Sequence, residues 1–228
     1  MKRIKGMIFF DLGHTLVEGT HPSVRRVLAQ RLGLSEKETR RVGRLIMTYP
    51  AREPDSLAHA ILSLVPRLDR AGIGHIVEDV WKAQSGAAAV RPGAAALLHS
   101  LKSAGYGLGI LSNTWYPFFL GVSTFCREIT EAVDHVIVSY EAGKKKPDVD
   151  LYRTARQETG AGELPCWMVG DTYELDMAPA MTAGFSTVWL LTHPERETPL
   201  LARVLRGELP RPDWTAACLD EIGPYFGL

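Results

Sequence analysis

The stretch that decides the fold is Ile8-Phe9-Phe10-Asp11-Leu12-Gly13-His14-Thr15, an apolar run that ends abruptly at a carboxylate. Continuous apolar segments are typical of strands in parallel sheets, because helices cover both faces of such sheets. Ligands bind beyond the carboxyl ends of these strands, which is where Asp11 lies. A carboxylate there can ligate Mg²⁺ or act as a nucleophile, although Asp and Gly are also frequent in ordinary turns. The stretch predicts a parallel α/β sheet with Asp11 at its carboxyl edge.

Downstream of this stretch the chain has two parts with different patterns. The first, from about residue 21 to 84, is rich in Arg, Leu and Ala, has apolar residues at helical spacing and contains no strand-like run. Its predicted helices are 22–32, 35–47, 56–68 and 73–82, and Ser35 with Glu38 matches a capping box. In the second part, strands and helices alternate as a parallel sheet requires. The predicted strands are 107–111, 133–138, 166–169 and 187–191, and the predicted helices are 94–104, 149–158 and 175–183. Segments 199–206 and 218–226 are predicted to be helical or irregular and to cover the core.

Composition excludes several classes of protein. Lys plus Arg and Asp plus Glu number 26 each, so no net charge favours nucleic acid, a membrane or another polyanion. Cys126, Cys166 and Cys218 are far apart and form no CxxC pair, which argues against a disulfide framework and a zinc site. We expect a reducing, cytoplasmic setting. No run approaches the roughly 18 apolar residues of a membrane helix.

Polar residues follow four of the predicted strands directly. They are Asp11, Ser112, Ser139 and Asp171. The carboxyl ends of parallel strands meet at one edge of the sheet, so we expect these positions to converge. The lysine run 144–146 follows the third of them and adds positive charge. The pattern predicts a single polar site at this edge.

The chain resembles the haloacid dehalogenase-like hydrolase superfamily, which has four motifs in a fixed order. The matching residues are 11–15 for the nucleophile motif, Ser112-Asn113-Thr114 for the second, Lys146 beside Pro147 for the third, and Asp171 and Asp176 for the last. The resemblance implies a Rossmann-like core of parallel sheet and flanking helices, formed by residues 1–18 and 86–228. It also implies an all-helical cap inserted at residues 19–85.

The resemblance implies a Mg²⁺-dependent hydrolase of small organophosphates that forms an aspartyl-phosphate on Asp11. Phosphoryl transfer requires a nucleophile, charge neutralisation and positioning. The implied residues are Asp11, Ser112 and Lys146 for catalysis, Asn113 and Thr15 for substrate binding, and Asp11, Gly13, Asp171 and Asp176 for the metal. Lys145 is the competing candidate for the lysine. The implied partner is a small phosphorylated molecule, with neither nucleic acid nor membrane, and the protein is a monomer or a homodimer.

Gly13 departs from the pattern of the superfamily's phosphatases, which carry a second Asp there as general acid and base. His14 titrates near neutrality and is a candidate substitute. Consecutive residues of an extended segment point to opposite sides, so a histidine in a surface turn is the simpler interpretation. Dehalogenases and phosphonatases of the superfamily also lack that Asp, which leaves carbon-centred hydrolysis open. A protein with reduced catalytic activity that serves in binding or scaffolding is a further alternative.

Two other features have competing interpretations. Residues 29–44 resemble a helix-turn-helix with arginines on the second helix, but the zero net charge and the sufficiency of a helical cap make a nucleic-acid-binding module the least favoured function. The aromatic run 115–119 is either the wall of an apolar pocket beneath the cap, ordinary packing or a dimer surface. The histidines at 21, 59, 75, 99, 135 and 193 have no ligand spacing.

Overall fold

The protein is described here from a computed structural model, which covers residues 4–18 and 22–228. Within these ranges, six strands form one sheet in which every pairing is parallel. The strands are β1 Met7–Phe10, β2 Gly107–Ser112, β3 His135–Val138, β4 Cys166–Gly170, β5 Ser186–Leu190 and β6 Trp214–Ala216. Their order in the sheet is β3-β2-β1-β4-β5-β6. The predicted Rossmann-like parallel sheet is confirmed.

Strand β1 lies in the middle of the sheet, where its four residues are buried. Met7 pairs with Gly107 of β2 on one side and with Cys166 of β4 on the other. The chain moves outward from β1 through β2 to β3 and then returns to β4 on the opposite side. The strand order therefore reverses beside β1, and open α/β sheets bind their ligands at this point of their carboxyl edge.

Alternating side chains of β1 contribute to two hydrophobic clusters, one on each face of the sheet. Ile8 and Phe10 belong to the first cluster, and Met7 and Phe9 belong to the second. Helices cover both faces, as the continuous apolar strands predict. After residue 90 they are α5 Ala94–Ser103, α6 Tyr116–Phe125, α7 Arg127–Thr130, α8 Ser139–Ala142, α9 Val149–Glu158, a π-helix Tyr173–Met177, α10 Ala178–Thr182 and α11 Pro194–Leu205, followed by 3-10 turns Leu219–Glu221 and Gly223–Phe226.

Four further helices, here called the cap helices, lie between the first strand and the rest of the sheet. They are α1 Val24–Arg31, α2 Glu36–Thr48, α3 Pro54–Leu64 and α4 Arg70–Ser85. The Ser35 hydroxyl accepts from the Glu38 amide and the Glu38 carboxylate accepts from the Ser35 amide, which confirms the capping box. Residue 19, where the cap is predicted to begin, lies outside the described residues, as does His21. No helix in the described chain is both long and apolar enough to cross a membrane.

The cap helices are joined tightly to the sheet domain. The two connecting segments run side by side, because the Glu18 amide donates to the Ala89 carbonyl at 2.8 Å and the Arg91 amide donates to the Leu16 carbonyl at 3.0 Å. Helix α4 packs so closely on α6 that a Cβ atom on Gly121 would overlap the Ser85 carbonyl. Buried apolar residues of the cap helices and of one sheet face form a single hydrophobic cluster.

Several elements differ from the sequence-based predictions. Strand β6 was not predicted, because Trp214 and Thr215 are exposed and only Ala216 is buried. Helix α6 was not predicted either, because its residues are apolar almost all round and show no helical periodicity. The helix predicted at 175–183 begins with the π-helix at Tyr173, and the one predicted at 199–206 begins at Pro194. Helix α2 contacts the core helix α8, so the second helix of the helix-turn-helix pattern is a packing element.

Candidate active site

Three carboxylates converge where β1 and β4 end. Asp11 follows β1, Asp171 follows β4 and Asp176 lies in the π-helix, and one oxygen from each lies within 4.8 Å of the others. The Asp11 amide donates to the Val169 carbonyl at 2.9 Å, which holds the end of β1 against β4. Asp11 is 160 residues from Asp171 in the sequence, and the two meet because β1 and β4 are neighbours in the sheet.

Lys146 occupies the space between two of these carboxylates. Its Nζ donates to Asp11 Oδ1 at 2.7 Å and to Asp176 Oδ1 at 2.5 Å, and the side chain is fully buried. Burial alone would lower the pKa of Lys146, but the attraction of Asp11 and Asp176 outweighs it and the pKa is raised. Asn113 holds the lysine backbone, because its Oδ1 accepts from the Lys146 amide and its Nδ2 donates to the Lys146 carbonyl. Lys145, the competing candidate, does not line the cavity at this site.

The π-helix Tyr173–Met177 carries Asp176, which is more deeply buried than Asp11. A single π-turn inside a helix is uncommon and is frequently found at functional sites. Asp176 lies against the backbone of Gly170, where a Cβ atom would overlap its carboxyl group. One Asp176 oxygen accepts from Lys146 and the other accepts from the Thr172 amide at 3.0 Å. Both oxygens of Asp176 are therefore engaged by protein donors.

The carboxylates repel one another in a buried setting. Burial is the first cause that raises the pKa of Asp171, followed by the charges of Asp11 and Asp176, and this pKa lies at about 8. Burial also raises the pKa of Asp176, to about 6, against the opposing effect of Lys146. One lysine does not neutralise three carboxylates. A divalent cation fits the remaining negative charge, and carboxylate oxygens are its preferred ligands.

A cavity of about 390 Å³ opens above these residues, between the sheet edge and the cap helices. Ser112 ends β2 and Thr114 follows it, and both line the cavity, as do Gly13 and Asn113. The cap helices and the segment before α1 contribute Ser23, Val24, Met47 and Gln84, none of which is charged. Trp115 and Phe118 from the start of α6 complete the apolar wall. The aromatic run therefore lines a pocket beneath the cap helices and also packs against α4.

The match to a protein family agrees with this geometry. A family model described as haloacid dehalogenase-like hydrolase matches residues 6–184. The chain belongs to the haloacid dehalogenase-like hydrolase family.

Relatives in this hydrolase family include phosphatases. The pyrimidine 5'-nucleotidase YjjG of Escherichia coli is 30% identical over 132 residues, which are 58% of this chain and 54% of that protein. The glyceraldehyde 3-phosphate phosphatase of Pyrococcus abyssi is 33% identical over 98 residues, which are 43% of this chain and 41% of that protein. The chain thus matches about half the length of these curated relatives. The crystal structure of a HAD phosphatase from Thermococcus onnurineus superposes with a TM-score of 0.61, covers 97% of this chain and 98% of its own, and is 19% identical, which shows the shared fold.

The structure brings most of the residues that the family motifs predict into one cavity. Those that line it are Asp11, Gly13, Ser112, Asn113, Lys146, Asp171 and Asp176. Thr15 does not line it; its side chain is fully buried and its hydroxyl has no partner among the described residues. Ser139 lies below the site, where its hydroxyl donates to the Thr114 carbonyl at 3.0 Å and accepts from the Thr114 amide at 3.1 Å. It supports the loop that carries Thr114.

His14, beside the family nucleophile motif, faces the cavity. Its φ of 60° puts it in a left-handed turn, so the alternation expected of an extended segment does not apply. The ring is half-buried, and its Nδ1 lies 3.2 Å from Nε2 of His193. Burial is the first cause that lowers the pKa of His14, and His193 and Arg196 lower it further. His14 lies in a turn, as the simpler interpretation expected, but its ring is half-buried against His193 instead of exposed at the surface.

Other cavity residues have no motif signal in the sequence. His193, Arg196 and Glu197 come from the start of α11, and Gln84 comes from the last turn of α4. Gln84 is buried, and the indole N–H of Trp115 has no partner among the described residues. Trp115 belongs to the aromatic run 115–119, which the sequence offered as a possible wall of a pocket beneath the cap. The remaining residues are determined by where α4 and α11 pack, which local sequence patterns do not reveal.

Proposed function

We propose that the protein is a Mg²⁺-dependent hydrolase of phosphate monoesters that forms an aspartyl-phosphate on Asp11. The observation that carries the proposal is the placement of the Asp11 carboxylate in the cavity, 2.7 Å from the Lys146 ammonium and beside Asp171. A carboxylate nucleophile requires nearby positive charge to approach an anionic phosphate. The relatives named above are a nucleotidase and a sugar-phosphate phosphatase, and both names describe phosphate monoester substrates.

The chemistry of the donor groups supports a hard divalent cation. Asp11 and Asp171 would ligate it through carboxylate oxygens, and the Gly13 carbonyl, which lines the same cavity, would add a third ligand. Asp176 has both oxygens engaged by Lys146 and Thr172, so it would act through water and by holding Lys146. The bound Mg²⁺ would neutralise the phosphate and offset the repulsion among the carboxylates.

The residues of the chain then have distinct tasks. An Asp11 oxygen forms a bond to phosphorus while the bond from phosphorus to the leaving oxygen breaks. Lys146 balances the negative charge of the phosphoryl group, and the Ser112 hydroxyl, buried at the cavity floor, donates to one of its oxygens. Water then attacks the phosphorus of the aspartyl-phosphate, which releases inorganic phosphate and restores the Asp11 carboxylate. Asn113 positions Lys146 by bonding both of its backbone polar groups.

Gly13 sets the expected substrate range. No carboxyl side chain stands there to give a proton to the leaving oxygen or to take one from water. General acid–base catalysis contributes about 10²- to 10⁴-fold, so alkyl phosphates are expected to react slowly and aryl or acyl phosphates faster. The missing base also slows hydrolysis of the aspartyl-phosphate, which is expected to accumulate.

A panel of phosphate esters, assayed with and without Mg²⁺ for release of inorganic phosphate, tests the proposal. We expect release that requires Mg²⁺, exceeds the rate with Asp11→Asn protein and favours aryl over alkyl esters. Equal release by native and Asp11→Asn protein would contradict it. The same panel should include a 2-haloacid and a phosphonate, because the absence of an Asp at position 13 favours carbon-centred hydrolysis as the second candidate. If the protein binds compounds of the panel but converts none of them, the result would favour the alternative of a binding or scaffolding protein with reduced catalytic activity.

We also propose the compartment in which the protein works and its state of assembly. The free thiols of Cys126, Cys166 and Cys218 support the reducing, cytoplasmic setting that we propose. The partner is a small phosphorylated molecule, and the monomer or homodimer prediction stays a prediction. Size-exclusion chromatography with light scattering tests the oligomeric state.

A further inference from the structure

Gln84 is a buried amide in the cavity wall that the proposed catalytic steps do not use. It lies in the last turn of α4, is 9% exposed and lines the cavity. Within residues 4–18 and 22–228, its side-chain amide forms no hydrogen bond. An amide side chain offers two N–H donors and one acceptor oxygen, and buried polar groups normally have partners. The amide of Gln84 is therefore available to a molecule that occupies the cavity.

Packing between α4 and α6 fixes the position of Gln84. Trp81, one turn earlier in α4, packs edge-on against Trp115, with ring centroids 5.7 Å apart and an interplanar angle of 72°. A Cβ atom on Gly121 of α6 would lie 3.5 Å from the Gln84 carbonyl and would overlap the carbonyl of Ser85. The α4 backbone that carries Gln84 is thus held closely against α6. A polar group on a rigid element binds with a smaller loss of conformational entropy than one on a mobile loop.

The cap helices and α6 form a neutral, largely apolar wall of the cavity. The residues of this wall are Ser23, Val24, Met47, Gln84, Trp115 and Phe118. A charge that is buried without a partner is strongly unfavourable in such surroundings, whereas Trp115 and Phe118 pack well against another aromatic ring. Asp11 and Gln84 line the same cavity of about 390 Å³, so one molecule can contact both. The wall suits an uncharged aromatic group on a molecule whose phosphate lies at Asp11.

We propose that Gln84 determines specificity for the leaving group, because its side chain binds an uncharged amide carried on an aromatic ring. The proposal rests on the proposed phosphohydrolase function and names its substrate class, which is an aryl or heteroaryl phosphate with a carboxamide or a cyclic amide. Two amides have complementary donors and acceptors, so two hydrogen bonds form together. The preference for aryl esters that follows from Gly13 points to the same class of leaving group.

Three aryl phosphates test the proposal: phenyl, 3-carbamoylphenyl and 4-carbamoylphenyl phosphate. The two positions of the carbamoyl group place it at different distances from phosphorus. The quantity measured is the carbamoyl preference, which is kcat/KM for a carbamoyl ester divided by kcat/KM for phenyl phosphate. Comparison of this ratio between native and variant protein removes the effect of the carbamoyl group on the acidity of the leaving group.

Gln84→Met should lower the carbamoyl preference by about tenfold for at least one of the two isomers, the effect of losing two hydrogen bonds between neutral groups. Methionine has a similar length and no amide. Gln30→Met is the matched control, because Gln30 is exposed on α1, another cap helix, and does not line the cavity. The control should change the preference by less than about twofold. An unchanged preference for both isomers in Gln84→Met protein would overturn the proposal.

Thermal melting distinguishes a binding role of Gln84 from a structural one. Gln84→Met protein should melt at the native temperature or above it, because the substitution removes no hydrogen bond within the described part of the chain. A lower melting temperature, combined with an equal loss of kcat/KM for all three esters, would assign Gln84 a structural role and overturn the proposal.

Binding measurements separate this proposal from the proposed catalytic function. Asp11→Asn protein is titrated calorimetrically with the three aryl phosphates in the presence of Mg²⁺, which requires no turnover. Tighter binding of a carbamoyl ester, lost when Gln84→Met is added, supports the role of Gln84 even if no ester is hydrolysed. Equal affinities of Asp11→Asn protein for the three compounds overturn the proposal even if native protein hydrolyses them rapidly, and this result does not depend on the folding of the methionine variant.

Discussion

Replacement of Gly13 by Asp is the sharpest test of how this site works. The backbone φ of Gly13 is not among the left-handed ones, and no atom lies within 4 Å of the position that a Cβ atom would take. The side chain therefore enters open space in the cavity, without steric strain. Replacing a glycine by a residue with a side chain at a compatible position stabilises a protein by about 0.4–1 kcal/mol through the unfolded state. Because Asp adds a fourth carboxylate to this cavity, we expect Gly13→Asn protein to be at least as stable as native protein and metal-free Gly13→Asp protein to be less stable than Gly13→Asn protein.

The added carboxyl group can protonate the leaving oxygen and then activate the water that attacks the aspartyl-phosphate. With alkyl phosphates we expect steady-state turnover to rise by about 10²-fold or more, within the range of general acid–base catalysis. With aryl phosphates the first step should change little. Native protein, whose aspartyl-phosphate is expected to accumulate, should show a burst of product equal to the enzyme concentration, and this burst should disappear in Gly13→Asp protein. Stopped-flow and steady-state assays of an alkyl and an aryl phosphate measure both effects.

Gly13→Asn protein is the matched control, because asparagine has the same shape and cannot exchange a proton in this way. Equal alkyl phosphatase rates in Gly13→Asp and Gly13→Asn protein would refute the reasoning. Fast, burst-free hydrolysis of alkyl phosphates by the native protein would also refute it, unless His14→Ala abolished that activity. In that case His14, which faces the same cavity beside His193, supplies the proton transfer.

Four further predictions concern the metal, the buried ion pairs and the cap. Asp171→Asn should abolish Mg²⁺ binding in calorimetry. Because the pKa of Asp171 is raised to about 8, metal-free native protein loses stability as pH rises from about 4 to 8. The variant should therefore have a higher melting temperature than native protein at pH 9 but not at pH 4. Lys146→Met should lower the free energy of unfolding in urea by about 3–5 kcal/mol near neutral pH, since it leaves buried carboxylates unpaired; a loss below 1 kcal/mol would contradict the burial argument. Gly121→Ala should cost about 1–3 kcal/mol, because a Cβ atom overlaps the α4 backbone, whereas Gly74→Ala in α4, where nothing lies within 4 Å, should be neutral or stabilising. The insertion pattern of the sequence predicts that deletion of about His21 to Gln84, bridged by a short linker, leaves a foldable core. The hydrophobic cluster shared by cap and sheet leads us to expect a large loss of stability instead, and a cooperative melt near the native temperature would show that the core is independent.

The architecture and the main residues of the site could be predicted from the sequence. Parallel strands buried on both faces are largely apolar runs, and β1, β2, β4 and β5 have this property. In β3, at the edge of the sheet, Val136 is exposed. The carboxyl ends of such strands meet at one edge whatever the details of packing. Asp11, Ser112 and Asp171 could therefore be assigned to one site from their positions after strands, and the family motif added Lys146 and Asp176.

The contacts that other side chains make with these residues could not be predicted and depend on tertiary packing. Asn113 was predicted to bind substrate, but its amide group is engaged by the Lys146 backbone. The turn at His14 directs its ring to His193, and no periodicity relates two residues so far apart. The strands themselves follow from local apolar patterns, whereas these contacts depend on how α11 and the loops after the strands pack together. That packing is set by side-chain shape and burial between distant segments, which a local sequence pattern does not contain.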